Sequence, residues 1–293
     1  MSLSDHPDHQ FYIGSNKLSV VSEYQYLGLK VKSSGTFSFA ADELYTKATR
    51  AYFSISNIIY SHKKWRVDRA LGMFDTIVSP VALYACELWS PLVLPKKCFR
   101  NINSLLAGWE TFQPELLNQK ACRLILSVHK KSSRLAVLGE LGRYPLLIRA
   151  ITQALKYEWH INTGVSTSSL VSLAMKEMRE MCALDIDSWY TRVSKIKKMF
   201  SVPKFSGRYK PDYVGKRIST VLKDKFSSFW KQEIKREKLD TKGVNRNKLR
   251  FYQTIKSSFT IEPYVQLILN RNQRCWLSRM RISAHSLHIE TGR

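Results

Sequence analysis

At 293 residues the chain is long enough for one or two domains with a full hydrophobic core. Apolar residues at 44% and aromatics at 12%, with only 12 Gly and 9 Pro, exclude a disordered, collagen-like or low-complexity protein. Lys and Arg number 47 against 23 Asp and Glu, a formal net charge of +24 whose self-repulsion calls for a polyanionic partner, nucleic acid first among them.

The first residues, Met1 to Pro7, lack a basic n-region and an apolar h-region, so no secretory signal is expected and an intracellular location, nuclear or cytoplasmic, is. Strands are predicted at Phe11 to Ile13, at Lys17 to Val21 after a Gly14-Ser15-Asn16 turn, and at Tyr24 to Lys32. The last run has period two: Leu27, Leu29 and Val31 fall on one side, and Tyr24, Tyr26, Gly28, Lys30 and Lys32 on the other. That second side reads either as a solvated lysine face or as a place where a backbone approaches a residue without a Cβ.

After Gly35 the period becomes helical. Leu44, Ala48, Ala51, Ile55 and Ile58 recur at helical spacing behind Ser38, a candidate N-cap. Further helices are predicted at about 67–79, 96–107, 115–128, 133–141 and 145–161, the last with Pro145 in its first turn. Beyond them 170–183, 186–200, 216–238 and 263–283 carry the same pattern with more Lys and Arg. The apolar run Ile77 to Leu94 is interrupted by Pro80, Glu87 and Pro91, so no membrane span is expected. The fold class expected is mainly α, with short N-terminal strands followed by a helical bundle and a basic helical tail.

Charge divides the chain: net +7 up to Asp185, and net +17 in the 108 residues from Ile186 onward. With Asn162 to Ser169 and Ser201 to Gly215 as breaks in the helical pattern, segments 1–35, 36–183 and 184–293 are expected. The five cysteines are odd in number and lack a Cys-x-x-Cys pair, and read as small core residues in a reducing compartment. No P-loop, dinucleotide fingerprint, nucleophile elbow or His-Glu-x-x-His occurs, nor any Asp-Asp pair. Asp185-x-Asp187 either offers a divalent metal two carboxylates or opens the helix at Ser188, where acids suit the dipole. Cys275, His285 and His288 lack the usual spacing of a metal site. No metal or other cofactor is expected from these residues.

Four stretches carry a resemblance. Tyr24-Gln25-Tyr26-Leu27-Gly28-Leu29-Lys30-Val31 resembles the "YLG" strand of LINE-type non-LTR retrotransposon reverse transcriptases. Val78 to Trp89 is similar to the thumb segment of that family that ends Tyr-Gly-x-Glu-x-Trp, with Ala85 in place of the glycine. Val137 to Pro145 is similar to its "GELGRxP" segment, and Arg281 to Arg293 to its "RISAHxLxIExGR" stretch. The four follow the family order across almost the whole chain.

The resemblance implies a palm-edge, primer-grip-like segment at 1–35, a thumb-like bundle at 36–183 and a basic nucleic-acid-binding connector at 184–293. It implies RNA-directed DNA polymerase as the family activity. The Tyr/Phe-Ala-Asp-Asp hairpin that holds its two magnesium ions is expected upstream of the Tyr-Leu-Gly strand, and a Cys/His knuckle beyond the final Gly-Arg. This chain is then expected to be catalytically incomplete and to grip RNA and DNA, as template-primer, through phosphates with little sequence preference. The expected contact residues are Tyr26, Gly28, Lys30 and Lys32 on the strand, and Lys63, Lys64, Arg66, Lys130, Lys131 and Arg134 on the bundle. Lys195, Lys197, Lys198, Arg279 and Arg281 are expected to join them from the tail. Weak self-association through the exposed N-terminal strand edge is also expected. A basic scaffold recruited from a retroelement is one alternative. A membrane-surface protein using Lys216 to Lys238, with Phe226, Phe229 and Trp230, is another.

Overall fold

In a computed structural model of the chain the described residues are 2–3, 12–61, 66–163, 169–236, 249, 251–267 and 270–282. The fold is mainly α, with short strands at the N-terminus. β1 (Ser2–Leu3) pairs in parallel with β4 (Val20–Val21), and β2 (Tyr12–Ile13) with β3 (Asn16–Lys17) in a hairpin around Gly14. β5 (Glu23–Tyr26) and β6 (Leu29–Lys32) form a second antiparallel hairpin in which Tyr26 faces Leu29.

The single strand expected from Tyr24 to Lys32 is therefore two. Leu27 and Gly28 both have positive φ, 46° and 85°, the geometry of a tight two-residue turn between twisted strands. Leu27 sits at the tip, 73% exposed, whereas Leu29 is buried and Val31 half-buried.

α1 (Ser38–Ser61) begins at the expected Ser38. Its buried stripe is Ala41, Leu44, Ala48, Tyr52, Ile55 and Ile59; over six turns it drifts away from the expected Ala51, which is half-buried, and Ile58, which is exposed. α2 (Val67–Met73) continues through a π-helical stretch, Phe74–Val78, into α3 (Ser79–Ala82). The chain then breaks at Ala85, which takes a left-handed φ of 50°, and resumes as α4 (Cys86–Val93). The two arms lie 77° apart, with Phe74, Val78 and Trp89 buried in the core. No single helix among the described residues is long and apolar enough to cross a membrane.

A 3-10 turn (Lys96–Phe99) leads to α5 (Ile102–Ala107), capped by Asn101, and then α6 (Gln113–Leu126). α7 (Arg134–Leu141) is capped by Ser133 and ends on Gly142, and Pro145 precedes α8 (Leu146–Asn162). The tail holds α9 (Ser169–Ala183), α10 (Trp189–Met199), α11 (Pro211–Lys235), α12 (Tyr252–Ile255), α13 (Pro263–Gln266) and α14 (Arg271–Arg281).

The tail shares the core of the bundle. Val193, Ile196, Val214, Phe226, Trp230 and Val265 are buried in one cluster with Val137, Ile151 and Leu155, so the boundary expected at 184 divides charge while the core runs across it. α11 lies along α8 and starts five residues earlier than expected, carrying Gly215 inside it. The helix expected over 263–283 is two helices, because Asn270 and Gln273 form a capping box that starts a new one. Phe226, Phe229 and Trp230 are turned into the core, which leaves the membrane-surface alternative without its apolar anchors.

Candidate nucleic-acid interface

The structure separates the expected contact cations into paired and unpaired. Lys30 lies 3.7 Å from Glu43, and Lys32 lies 2.9 Å from Glu23 and 3.9 Å from the centroid of Phe39. Arg66 holds Asp68 through two bonds of 2.8 and 3.1 Å. Lys195 binds Asp185 at 3.0 Å, and Lys197 binds the buried Glu158 at 2.9 Å. Arg281 donates to Glu140 at 2.9 Å and to Glu262 at 2.7 Å. Arg134 donates to the Glu110 carbonyl, and Arg279 is half-buried. Lys130, Lys131 and Lys198 are exposed without a carboxylate partner among the described residues, while Lys63 and Lys64 lie outside them.

Tyr26 is 61% exposed beside the hairpin turn. Gly28 sits over Tyr84: a Cβ there would lie 3.7 Å from that ring, and the Tyr84 hydroxyl donates to the Leu27 carbonyl at 2.6 Å. The glycine is explained by its positive φ, which the turn imposes.

Asp185-x-Asp187 acts within the fold. Both Asp187 oxygens accept from Arg192, at 2.7 and 2.8 Å, and this pairing holds the Asp187 carboxyl at about 2, below its ordinary range. The Arg192 Nη1 donates to the carbonyls of Pro91, Leu92 and Leu94, satisfying the end of α4. Ser188 caps α10, accepting from the Thr191 N–H. Among the described residues no three His, Cys, Asp or Glu side chains gather as a metal site. All five cysteines are free, and burial pushes the Cys86 and Cys122 thiols up to about 12, which keeps them inert. His285 and His288 lie outside the described residues.

The segment from Val137 to Pro145 is a structural junction. A Cβ on Gly139 would fall 2.5 Å from Trp230, and one on Gly142, whose φ is 56°, would fall on the backbone of Ile261. The buried Glu140 receives Arg281. Arg143 binds both oxygens of Asp75, at 2.7 and 3.0 Å, and Asn118 at 2.6 Å. Two pairs of the singled-out stretches thus meet in space, Leu27 with Tyr84 and Glu140 with Arg281.

A basic trough runs along α8. Arg149, Gln153, Lys156 and His160 recur at intervals of four, three and four, one polar stripe roughly 16 Å long. Two hollows share Arg149 and Gln153. The first, about 590 Å3, is walled by Thr76, Arg143, Tyr144, Ser219 and Lys223. The second, about 380 Å3, is walled by Pro80, Leu83, Glu87, Lys156, Trp159 and His160.

Arg149 donates to the Ser79 hydroxyl and has no carboxylate partner among the described residues. Among the described residues Lys156 has only Asp212, 3.8 Å away with a side chain 92% exposed, a pair worth little in water. Lys223 rests over the Tyr144 ring at 5.3 Å. Among the described residues the trough thus aligns Arg149 and Lys223, which have no carboxylate partner, with Lys156, paired to the exposed Asp212; the acids on its walls are Asp75, held by Arg143, and Glu87. Their signal in the sequence is a polar stripe of helical period in 145–161, less dense in Lys and Arg than the tail. No protein-family model, curated protein or solved structure matches the chain.

Proposed function

We propose that the chain grips nucleic acid by its sugar-phosphate backbone, as the thumb and connector of a LINE-type reverse transcriptase whose catalytic carboxylates are not among its residues. The observation that carries this reading is the trough on α8. Arg149, Lys156 and Lys223 line an open channel on a chain of net charge +24, and roughly 16 Å spans about five nucleotide rises of one strand. Thr152, Gln153 and Ser219 add neutral donors and acceptors suited to sugars and phosphates. The meeting of the resemblance-bearing stretches at Leu27 with Tyr84 and at Glu140 with Arg281 supports the family reading, because contacts of that kind tie their order in sequence to one fold.

Removing 186–293 would open the shared core, so the test uses point changes. The triple variant Arg149→Gln, Lys156→Gln, Lys223→Gln is compared with the wild type for RNA and DNA binding over a range of salt. Each lost phosphate contact lowers the slope of log K against log salt by ~0.7–0.9, so a reduction of about two is expected. An unchanged slope would remove the trough from the binding surface. Primer extension with Mg or Mn stays at background on this reading, and metal-dependent extension by the pure chain would overturn it.

A further inference from the structure

The second hollow of the trough differs from the first in one respect. Trp159, 6% exposed, forms a wall of it, and the indole Nε1 is buried with no hydrogen-bond partner among the described residues. That nitrogen has no accessible surface and is closed off from the open hollow, so the indole N–H is a reporter of the wall and makes no contact with a ligand. The same indole also borders a neighbouring hollow of about 240 Å3 that contains the paired Glu158 and Lys197. There the Glu158 carboxylate is already satisfied by Lys197 and Asn162.

The chemistry of the larger hollow specifies its ligand. Arg149 has no carboxylate partner among the described residues and Lys156 only the exposed Asp212 at 3.8 Å, and His160 and Gln153 add ring and amide nitrogens. Its single acid is Glu87, at the N-terminal turn of α4. Pro80 and Leu83 supply an apolar wall. A phosphomonoester offers two negative charges and three acceptor oxygens at neutral pH, enough for a guanidinium, an ammonium and the Gln153 amide together. Glu87 would accept from a sugar hydroxyl and repel a second phosphate. At about 380 Å3 the hollow holds one nucleotide, within the range of small-ligand pockets.

We infer that this hollow binds a single phosphomonoester-bearing nucleotide, supplied either as the phosphorylated end of a strand lying in the trough or as a free mononucleotide. The inference deepens the nucleic-acid reading and rests on it only for the first source.

The experiment follows the Trp159 indole N–H by NMR in the full chain, assigned with Trp159→Phe, during addition of adenosine monophosphate or adenosine. In parallel, affinities are measured for one short single-stranded RNA bearing a 5′-phosphate, a 3′-phosphate or hydroxyls at both ends. The monophosphate should move the resonance and adenosine should not. A phosphorylated end should bind about tenfold more tightly than the hydroxyl form, and Arg149→Gln with Lys156→Gln should reduce that preference to under about twofold. Unchanged thermal melting of the double variant would show that this exposed face does not hold the fold.

A moved resonance with no end preference would assign the pocket to free nucleotide. Nucleotide binding without any RNA binding would keep the pocket and defeat the nucleic-acid reading. Tight RNA binding with a static resonance and equal affinity for all ends would overturn the pocket and leave the trough in place.

Discussion

Arg281 on α14 and Glu140 on α7 are joined at 2.9 Å across 141 residues of sequence, with the Glu140 side chain fully buried and Arg281 about one quarter exposed. Glu262 gives Arg281 a second acceptor at 2.7 Å, and burial together with Glu140 pushes the phenols of Tyr252 and Tyr264 up. The end of the described tail is thereby tied to the centre of the bundle. The two partners are unequal. Changing Arg281 to Ala strands a buried carboxylate and should cost ~3–5 kcal/mol in urea denaturation. Changing Glu140 to Gln leaves Arg281 with Glu262 and should cost clearly less; equal losses would mean that the pair is not the anchor.

The glycines of the same junction give a graded test. Gly139→Ala places a methyl against Trp230 and Tyr252, packed side chains with little room, and should cost about 1–3 kcal/mol. Gly142→Ala meets the backbone of residues 260 and 261 and adds a left-handed φ, so it should cost more. Gly72→Ala, in α2 with nothing within 4 Å, should stabilise by up to ~1 kcal/mol. Chemical denaturation of the three variants checks the order.

Ala85 occupies a left-handed position, φ 50°, between two helices set 77° apart. The resembling family has glycine there. Ala85→Gly relieves a strain of ~1–2 kcal/mol and loses ~0.5–1 kcal/mol to the greater freedom of the unfolded chain. A net gain of about 0.5–1 kcal/mol is expected from thermal melting. A loss would show that the bend is not strained.

Glu115 is buried, accepts from the Leu146 N–H at 2.7 Å and from Asn118 at 2.8 Å, and is pushed up to about 7, chiefly by desolvation. Its folded value lies above its ordinary one, so its contribution to stability is full below about pH 4.5 and declines as the pH rises through about 7. Glu115→Gln removes that dependence. The difference in melting temperature, wild type minus variant, should therefore fall as the pH is raised from 5 to 8. A flat difference would mean that Glu115 is already ionised at the lower pH.

The Leu27–Gly28 turn changes the meaning of a Gly28 substitution. Gly28→Val places a β-branched residue at φ 85° and should unravel the β5–β6 hairpin, whereas Gly28→Asn should preserve it. Amide exchange at Lys30 to Lys32 separates the two. A loss of binding in the valine variant alone reports the turn, and only a loss in the folded asparagine variant reports close approach of a ligand.

Much of the framework was written locally in the chain. Ser133 and Ser188 cap helix starts and Ser38 and Pro145 stand at two more, signals that act within one turn, and the apolar periodicity of 115–128 and 145–161 yielded α6 and α8 to within two residues. The mainly α class follows from those signals. Tyr24 to Lys32 differs from the single strand expected because each half alternates but the two-residue turn shifts the parity: Tyr24 and Tyr26 pair with Val31 and Leu29 and share their face, opposite Lys30 and Lys32. The proposed binding surface is least legible. Lys197 and Arg281 look like free cations in sequence, but their carboxylates lie 39 and 141 residues away, and only folding brings those charges together. Arg149, which has a hydroxyl and no carboxylate partner among the described residues, and Lys156, which has an exposed one 56 residues away, follow the same rule: an ion pair is set by distance in space, which local sequence determines along one helix and tertiary packing determines between helices.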